Sequence, residues 1–255
     1  MDIKIIVATH KKYWMPKDPM YLPVHVGAAG KESIGYQRDD EGDNISEKNS
    51  HYCELTGLYW AWKNVDADYI GLAHYRRHFS NGKHFIEKKK KVINKQGMEL
   101  KLQNTNIVLP KPRNYWIETN YSQYAHAHHA IDLKMTKKIL KEKYPKYIKA
   151  WNISMKKTTG HRFNMFVMRK DLFDKYCTWL FDILFELEKR LDISTYNQND
   201  SRVFGFVSER LLDVWVETNK LDFEDTEYVF MENQNWLVKG SNFIKRKMSN
   251  KKKDI

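Results

Sequence analysis

Residues 68 to 78 run Asp68-Tyr69-Ile70-Gly71-Leu72-Ala73-His74-Tyr75-Arg76-Arg77-His78. The portion from Tyr69 to Ala73 is uncharged and too short for a helix, which is the pattern of a strand buried on both faces. It opens directly into an imidazole, a phenol and two adjacent guanidinium groups. In an open α/β sheet, ligands lie outside the carboxyl ends of the strands. A strand that delivers His74, Tyr75, Arg76 and Arg77 to that end therefore predicts both a fold and a place for a site. Paired guanidiniums hold a phosphate or diphosphate through parallel hydrogen bonds. The plainer alternative is a solvated loop.

Upstream, Ile3 to Ala8 form a second apolar, β-rich run that gives way to Thr9, His10, Lys11 and Lys12. If the two strands are neighbours, Thr9, His10 and Lys11 stand beside the arginine pair. Pro16, Pro19 and Pro23 forbid a helix in the next stretch, and Val24 to Gly27 suggest a short strand. Residues 35–44 are polar and predict a loop. Tyr52, Leu55, Tyr59 and Trp62 recur at spacings of three and four, so a helix is expected from Ser50 to Asn64, capped by Asn49 or Ser50. Strand, helix, strand in this order predicts a parallel sheet.

Downstream, four consecutive lysines (Lys88 to Lys91) mark residues 81–103 as a mobile or edge insertion. Asn106 to Pro110 predict a strand. Leu140, Tyr144, Tyr147 and Trp151 predict a helix with its lysines facing water. A strand over Phe163 to Met168, a long amphipathic helix over Asp171 to Leu191 and another from Ser201 to Trp215 complete the pattern. No internal repeat is present. The expected fold is a single α/β domain with an elaborated C-terminal half.

Composition sets the outer limits. At 255 residues with 14% aromatics, the chain is too rich in core-forming groups for disorder. No apolar run approaches the roughly 18 residues of a membrane span, and the entry from Met1 straight into a strand predicts a cytoplasmic protein without a signal peptide. Cys53 and Cys177 are far apart and predict reduced thiols, neither a disulfide framework nor a cysteine zinc site. The net charge of +12 is concentrated in residues 81–103 (+5), 134–157 (+8) and 239–255 (+6), leaving a body of −7. Such a distribution describes a mildly acidic body with three basic attachments.

Other constellations are weaker. His126, His128 and His129 with Asp132 invite a metal reading, but adjacent histidines on a helix diverge by about 100°, and second-shell or surface histidines explain them better. Asp200 and Glu209 are candidate general bases for an acceptor hydroxyl. Glu209 beside Arg210 equally describes an ordinary helix ion pair. Glycine-rich phosphate loops and a nucleophile elbow are absent.

Three runs carry a resemblance: Asn44 to Asn49, Tyr52 to Asn64, and Tyr69 to Arg77. With Gly160 to Arg169 and Arg202 to Leu211, they are similar to domain-of-unknown-function family 4422, over about residues 3–235. Its members are bacterial glycosyltransferases of capsular, exopolysaccharide and O-antigen gene clusters. The resemblance implies a GT-A-like fold over residues 1–238, with a Rossmann-type, mostly parallel sheet flanked by helices. A nucleotide-sugar-binding half (1–115) precedes an acceptor half (116–238), and a basic tail (239–255) follows.

It further implies sugar transfer from a nucleotide sugar, UDP-linked by preference and with UDP-galactofuranose among the choices, to a polyprenyl-diphosphate-linked glycan. Thr9, His10, Lys11, Lys48, Asn49, His74, Tyr75, Arg76 and Arg77 then contact the donor. Gly160, His161, Asn164 and Arg210 shape the acceptor and sugar pocket. Glu209 activates the acceptor, with Asp200 as second choice. GT-A enzymes place Asp-x-Asp at the end of a central strand to hold a divalent metal such as Mn²⁺ or Mg²⁺. Here that place holds His74-Tyr75-Arg76, while Asp66-Ala67-Asp68 precedes the strand and belongs at the opposite edge. Arg76 and Arg77 could supply the missing positive charge, which favours metal-independent transfer.

Two rivals stay open: a non-catalytic carbohydrate-binding protein of the same fold, and a basic nucleic-acid-binding module. Against the second, the aromatics fall at core-facing spacings and no nucleic-acid motif is present. The basic tail and Lys88 to Lys91 instead fit peripheral attachment to an anionic cytoplasmic membrane face.

Overall fold

The computed structural model describes residues 1–82 and 87–232. Strands β1 (Ile3–Thr9), β2 (Tyr21–His25), β3 (Gln37–Arg38) and β4 (Tyr69–His74) lead the chain, followed by β5 (Arg77–Phe79), β6 (Ile107–Pro110) and β7 (Arg113–Asn114). Then come β8 (Thr159–Gly160), β9 (Phe166–Arg169), β10 (Glu224–Thr226) and β11 (Tyr228–Phe230). The helices are α1 (Asn49–Tyr52), α2 (Leu55–Asn64), α3 (Lys88–Lys91), α4 (Lys95–Leu102) and α5 (Asn120–Ala127). After them stand α6 (Ala130–Lys143), α7 (Ile148–Lys156), α8 (Lys170–Arg190) and α9 (Val203–Thr218).

The main sheet runs β10-β6-β9-β4-β1-β2-β3, with β5 and β11 attached through β4. Every pairing on this path is parallel except the two made by β9. The carboxyl ends of β1, β2, β4 and β6 thus share one edge, and the reversed strand β9 enters from it. That reversal brings the segment before Phe166 to the same edge. Gly71 permits the close β4–β9 approach, because a Cβ there would lie 2.6 Å from the Phe166 carbonyl oxygen.

Both faces of the sheet are covered, which is why β1 and β4 are apolar throughout. Ile6 and Ala8 pack into the core beneath α2, α8 and α9, while Ile3, Ile5 and Val7 pack into a second core with Met98 and Leu102 of α4. Residues 92–102 of the 81–103 segment are therefore no loose insertion. The segment's lysine run is exposed or half-buried, but Ile93, Met98 and Leu102 seal the second face.

Two expected helices are broken. Residues 50–64 divide at Cys53, whose φ of 53° lies in the left-handed region that bulky residues avoid. Neither Asn49 nor Ser50 caps the first piece, which begins after Lys48 without a side-chain cap. Residues 133–151 are split by a turn at Pro145 into α6 and α7. The lysines of α6 do face outward, with Leu133, Ile139 and Leu140 buried. Among the described residues, no helix is long and apolar enough to cross a membrane. The basic tail lies outside the described residues.

Candidate functional site

A cavity of about 1090 Å³ opens at the carboxyl edge of the sheet. Thr9 and His10 enter it from the end of β1, and His74, Tyr75, Arg76 and Arg77 from the end of β4. Arg113, Arg162 and Phe163 line one side, and Arg202, Glu209 and Arg210 another, with Glu54 and Asn49 on the wall.

The arginines carry the site's electrostatics. Arg77 stacks on Phe163, with its guanidinium carbon 4.4 Å from the ring centroid, and lies 5.4 Å from Phe230. Arg76 reaches Glu232 at 3.6 Å. The Nε atoms of Arg76, Arg77, Arg162 and Arg210 are all buried without a hydrogen-bond partner. Burial lowers the Arg77 pKa, with the charges of Glu209 and Glu54 acting against it. Arg76, Arg77, Arg113, Arg162, Arg202 and Arg210 all line the cavity, and a cleft lined by one sign of charge draws the opposite sign, so the cavity suits an anion.

Two carboxylates face these cations. Glu209 accepts the Phe163 N–H at 3.1 Å through Oε1 and Arg210 Nη1 at 2.9 Å through Oε2. Arg210 also donates to Gln123 (2.7 Å), and fully buried Arg162 donates to the Glu209 carbonyl (2.9 Å) and to Asn120 (2.5 Å). The Glu209 carboxylate is thus held in place from both the 160–164 segment and its own helix.

Glu54 is the second. Asn164 Nδ2 donates to its Oε1 at 2.7 Å, and His74 Nε2 lies 3.4 Å from the same oxygen and 3.0 Å from the Phe163 carbonyl. Burial raises the Glu54 pKa, but the charge and hydrogen bonds of His74, then the bond from Asn164, outweigh it and leave the carboxyl at about 2. Three non-glycine residues at left-handed φ surround this cluster: Cys53 at 53°, Phe163 at 74° and Asn164 at 53°. Such backbone is retained only where the surroundings enforce it, and it concentrates at functional sites.

Of the expected donor contacts, the structure brings Thr9, His10, Asn49, His74, Tyr75, Arg76 and Arg77 together. Burial, then the charges of Lys11 and Arg76, lowers the His10 pKa and favours the neutral imidazole. Lys48 does not belong: its ammonium turns away to Glu188, at 2.7 and 2.8 Å. Lys11 sits outside the wall, 5.4 Å over the Tyr75 ring.

On the acceptor side only Arg210 and Glu209 line the cavity. Asn164 is buried behind Glu54. Gly160 and His161 line a separate cavity of about 210 Å³ with Asp213 and Asp225. There His161 bridges Asp213 (2.5 Å) and Asp225 (2.9 Å); burial pulls its pKa down, but the two carboxylates more than reverse this. Asp200 is tied to His128 at 2.9 Å and to Asn197 at 2.6 Å, and His128 rather than Asp200 reaches the cavity wall.

Glu54, Arg113, Arg162, Arg202 and Gln123 were not singled out from sequence. One signal was available: Arg202, Phe206 and Glu209 recur at spacings of four and three, which aligns them on one face. For Glu54, a lone carboxylate between Tyr52 and Leu55 in an apolar helix was the clue.

The position after β4 offers His74-Tyr75-Arg76 in place of carboxylates, both nearby carboxylates are engaged, and cationic side chains surround them. Among the described residues, no cluster of three or more His, Cys, Asp or Glu could hold a metal ion. Asp66 and Asp68 lie at the amino end of β4, where Asp68 accepts the Asp2 N–H at 2.7 Å.

No curated protein matches the chain. Among solved structures it is similar to WbbM, a bifunctional glycosyltransferase determined in its apo form, with 33% sequence identity and a TM-score of 0.85. The match covers 91% of this chain and 46% of that one, so the chain spans about half the length of that protein. The family model for Domain of unknown function (DUF4422) matches residues 4–220, and with the fold and the strand-end site in agreement the chain belongs to that family.

Proposed function

We propose that the protein transfers a glycosyl group from a nucleotide sugar to a hydroxyl of a growing polysaccharide repeat unit. The observation that carries this reading is the set of arginines lining one cavity beside two held carboxylates, at the carboxyl edge of a mostly parallel sheet. The likeness to a bifunctional glycosyltransferase supports it.

In the single-displacement route, the acceptor oxygen attacks the anomeric carbon as its proton passes to Glu209. The bond from that carbon to the phosphate oxygen breaks, and its electron pair leaves with the nucleoside diphosphate. Arg76 and Arg77 stabilise the charge that develops there, so transfer proceeds without a divalent metal. Arg162 and Arg210 fix Glu209. Glu54 positions His74 at the end of β4 and balances the charge of Arg77. The donor is UDP-linked, with UDP-galactofuranose the first to test, and the acceptor is a lipid-linked chain of capsular, exopolysaccharide or O-antigen type. The basic tail attaches the protein to the anionic cytoplasmic membrane face.

A thermal-shift panel of UDP, GDP, CDP and dTDP, each in EDTA and in Mn²⁺, tests this. Binding to the folded state alone raises apparent stability. Stabilisation by one nucleotide, retained in EDTA, is expected. No shift with any of the four would refute the nucleotide-sugar reading.

A further inference from the structure

β7 and β8 form a two-stranded ribbon, and the turn that follows β7, residues 115–118, stands at the rim of the large cavity. Arg113 and Tyr115 line the cavity, yet the next two residues point outward: Trp116 is 81% exposed and Ile117 64%. This is no frayed end. The Tyr115 N–H is donated to the Thr158 carbonyl (2.8 Å), the Trp116 N–H to Asn114 Oδ1 (2.7 Å) and the Asn120 N–H to the Lys157 carbonyl (2.8 Å). Trp116 is held at φ 63°, an uncommon conformation for a bulky side chain. A turn pinned at both ends thus presents an indole and an aliphatic side chain to the outside.

The surroundings specify what covers them. α7, whose end is bonded to this turn, contributes exposed Ile153 together with exposed Lys149 and Lys156, and Arg113 is exposed at the turn's base. Trp beside an aliphatic group, with exposed basic side chains on the adjoining helix and at the turn's base and with Glu118 tucked against His126, is the composition of an element that lies in the headgroup boundary of an anionic bilayer. Stacking on a sugar would use the flat indole face and leave Ile117 without a role. We infer that the 115–118 turn is a membrane-contact element. It inserts Trp116 and Ile117 at an anionic lipid surface and so turns the cavity mouth toward the membrane. This rests on the reading of the acceptor as lipid-linked.

Sedimentation of the full chain with phosphatidylcholine vesicles, with and without phosphatidylglycerol, tests the inference beside Trp116→Ala/Ile117→Ser and Trp116→Phe variants. The double variant should keep its Tm and lose about tenfold or more in partitioning to the anionic vesicles. Brominated lipids should quench the wild type more than Trp116→Phe. Unchanged partitioning of the double variant, with loss on deleting residues 245–255, would overturn the inference and leave the lipid-linked acceptor standing. No binding of the wild type to either vesicle would remove both. A raised KM for a soluble acceptor with vesicle binding unchanged would assign the turn to the glycan instead.

Discussion

The two ends of one sheet carry charge in opposite ways. At the amino end, Asp66, Asp68, Arg169, Lys170 and Asp171 surround a depression, and its basic side chains pair with nearby carboxylates. Arg169 grips Asp171 at 2.5 and 3.1 Å, Lys170 grips Asp174 at 2.6 and 2.7 Å, and these groups are about half exposed. At the carboxyl end, Arg162 and Arg210 are buried and Arg76 and Arg77 half-buried, each with a buried Nε that has no partner, and two carboxylates are held by donors from distant elements. Solvated, mutually satisfied pairs are worth little to stability or binding. Charged side chains that line a cavity and are held there by partners from distant elements are placed for a ligand. Charge alone therefore does not mark the site; its place at the carboxyl edge does, and the Asp-x-Asp spelling at the wrong end shows how a motif without its place misleads.

The contrast can be broken at several points. Glu209→Gln should lower transfer by about 10²- to 10⁴-fold while nucleotide affinity stays within about threefold, as steady-state rates and titration calorimetry would show. Near-normal turnover would remove Glu209 as the base.

Glu54→Gln tests the second carboxylate through pH. Its folded pKa of about 2 lies below the ordinary 4.5. The stability it contributes is fully present above pH 4.5 and is lost as pH falls through about 2. Roughly 3 kcal/mol is at stake. The variant should be less stable at neutral pH, and its stability should fall less steeply than wild type between pH 4.5 and 2; identical acid-unfolding curves would contradict the assignment.

Arg77→Met should weaken nucleotide binding by about ten- to a hundredfold, the loss of a charge-assisted hydrogen bond, with the unliganded Tm unchanged or raised because a buried, under-satisfied cation is gone. A lowered unliganded Tm would mark Arg77 as structural. At the other end, Asp66→Asn/Asp68→Asn should change stability by no more than about 0.5 kcal/mol and leave nucleotide binding intact.

How much of this was legible follows from the range of the forces involved. β1 and β4 are buried on both faces, and their apolar runs declare it; the placement of Thr9, His74 and the arginine pair followed from that alone. The break at Cys53 was hidden because the helical spacing of Tyr52, Leu55 and Tyr59 continues through it. Only the docking of Glu54 onto Asn164 and His74, 110 and 20 residues away, accounts for the turn. Lys48 was lost to Glu188, a partner 140 residues distant that no local pattern announces. The 160–164 segment was expected to shape the acceptor pocket; it reaches the edge, but neighbours in extended chain face opposite ways. Arg162 entered the large cavity while His161 entered the small one. The lysines at 88–91 drew attention away from Met98 and Leu102, whose burial decides the role of that segment.

On the proposed function, the half-buried Arg76 and Arg77 at the carboxyl edge hold a nucleoside diphosphate without a divalent cation. Titration calorimetry in EDTA, with the nucleoside diphosphate that stabilises the protein, addresses it directly in wild type, Arg76→Ala/Arg77→Ala and Asp66→Asn/Asp68→Asn. The account predicts equal affinity for wild type and the aspartate variant, and a loss of about a hundredfold or more in the arginine variant. Undiminished binding by the arginine variant, or binding by wild type only when Mn²⁺ is restored, would contradict it.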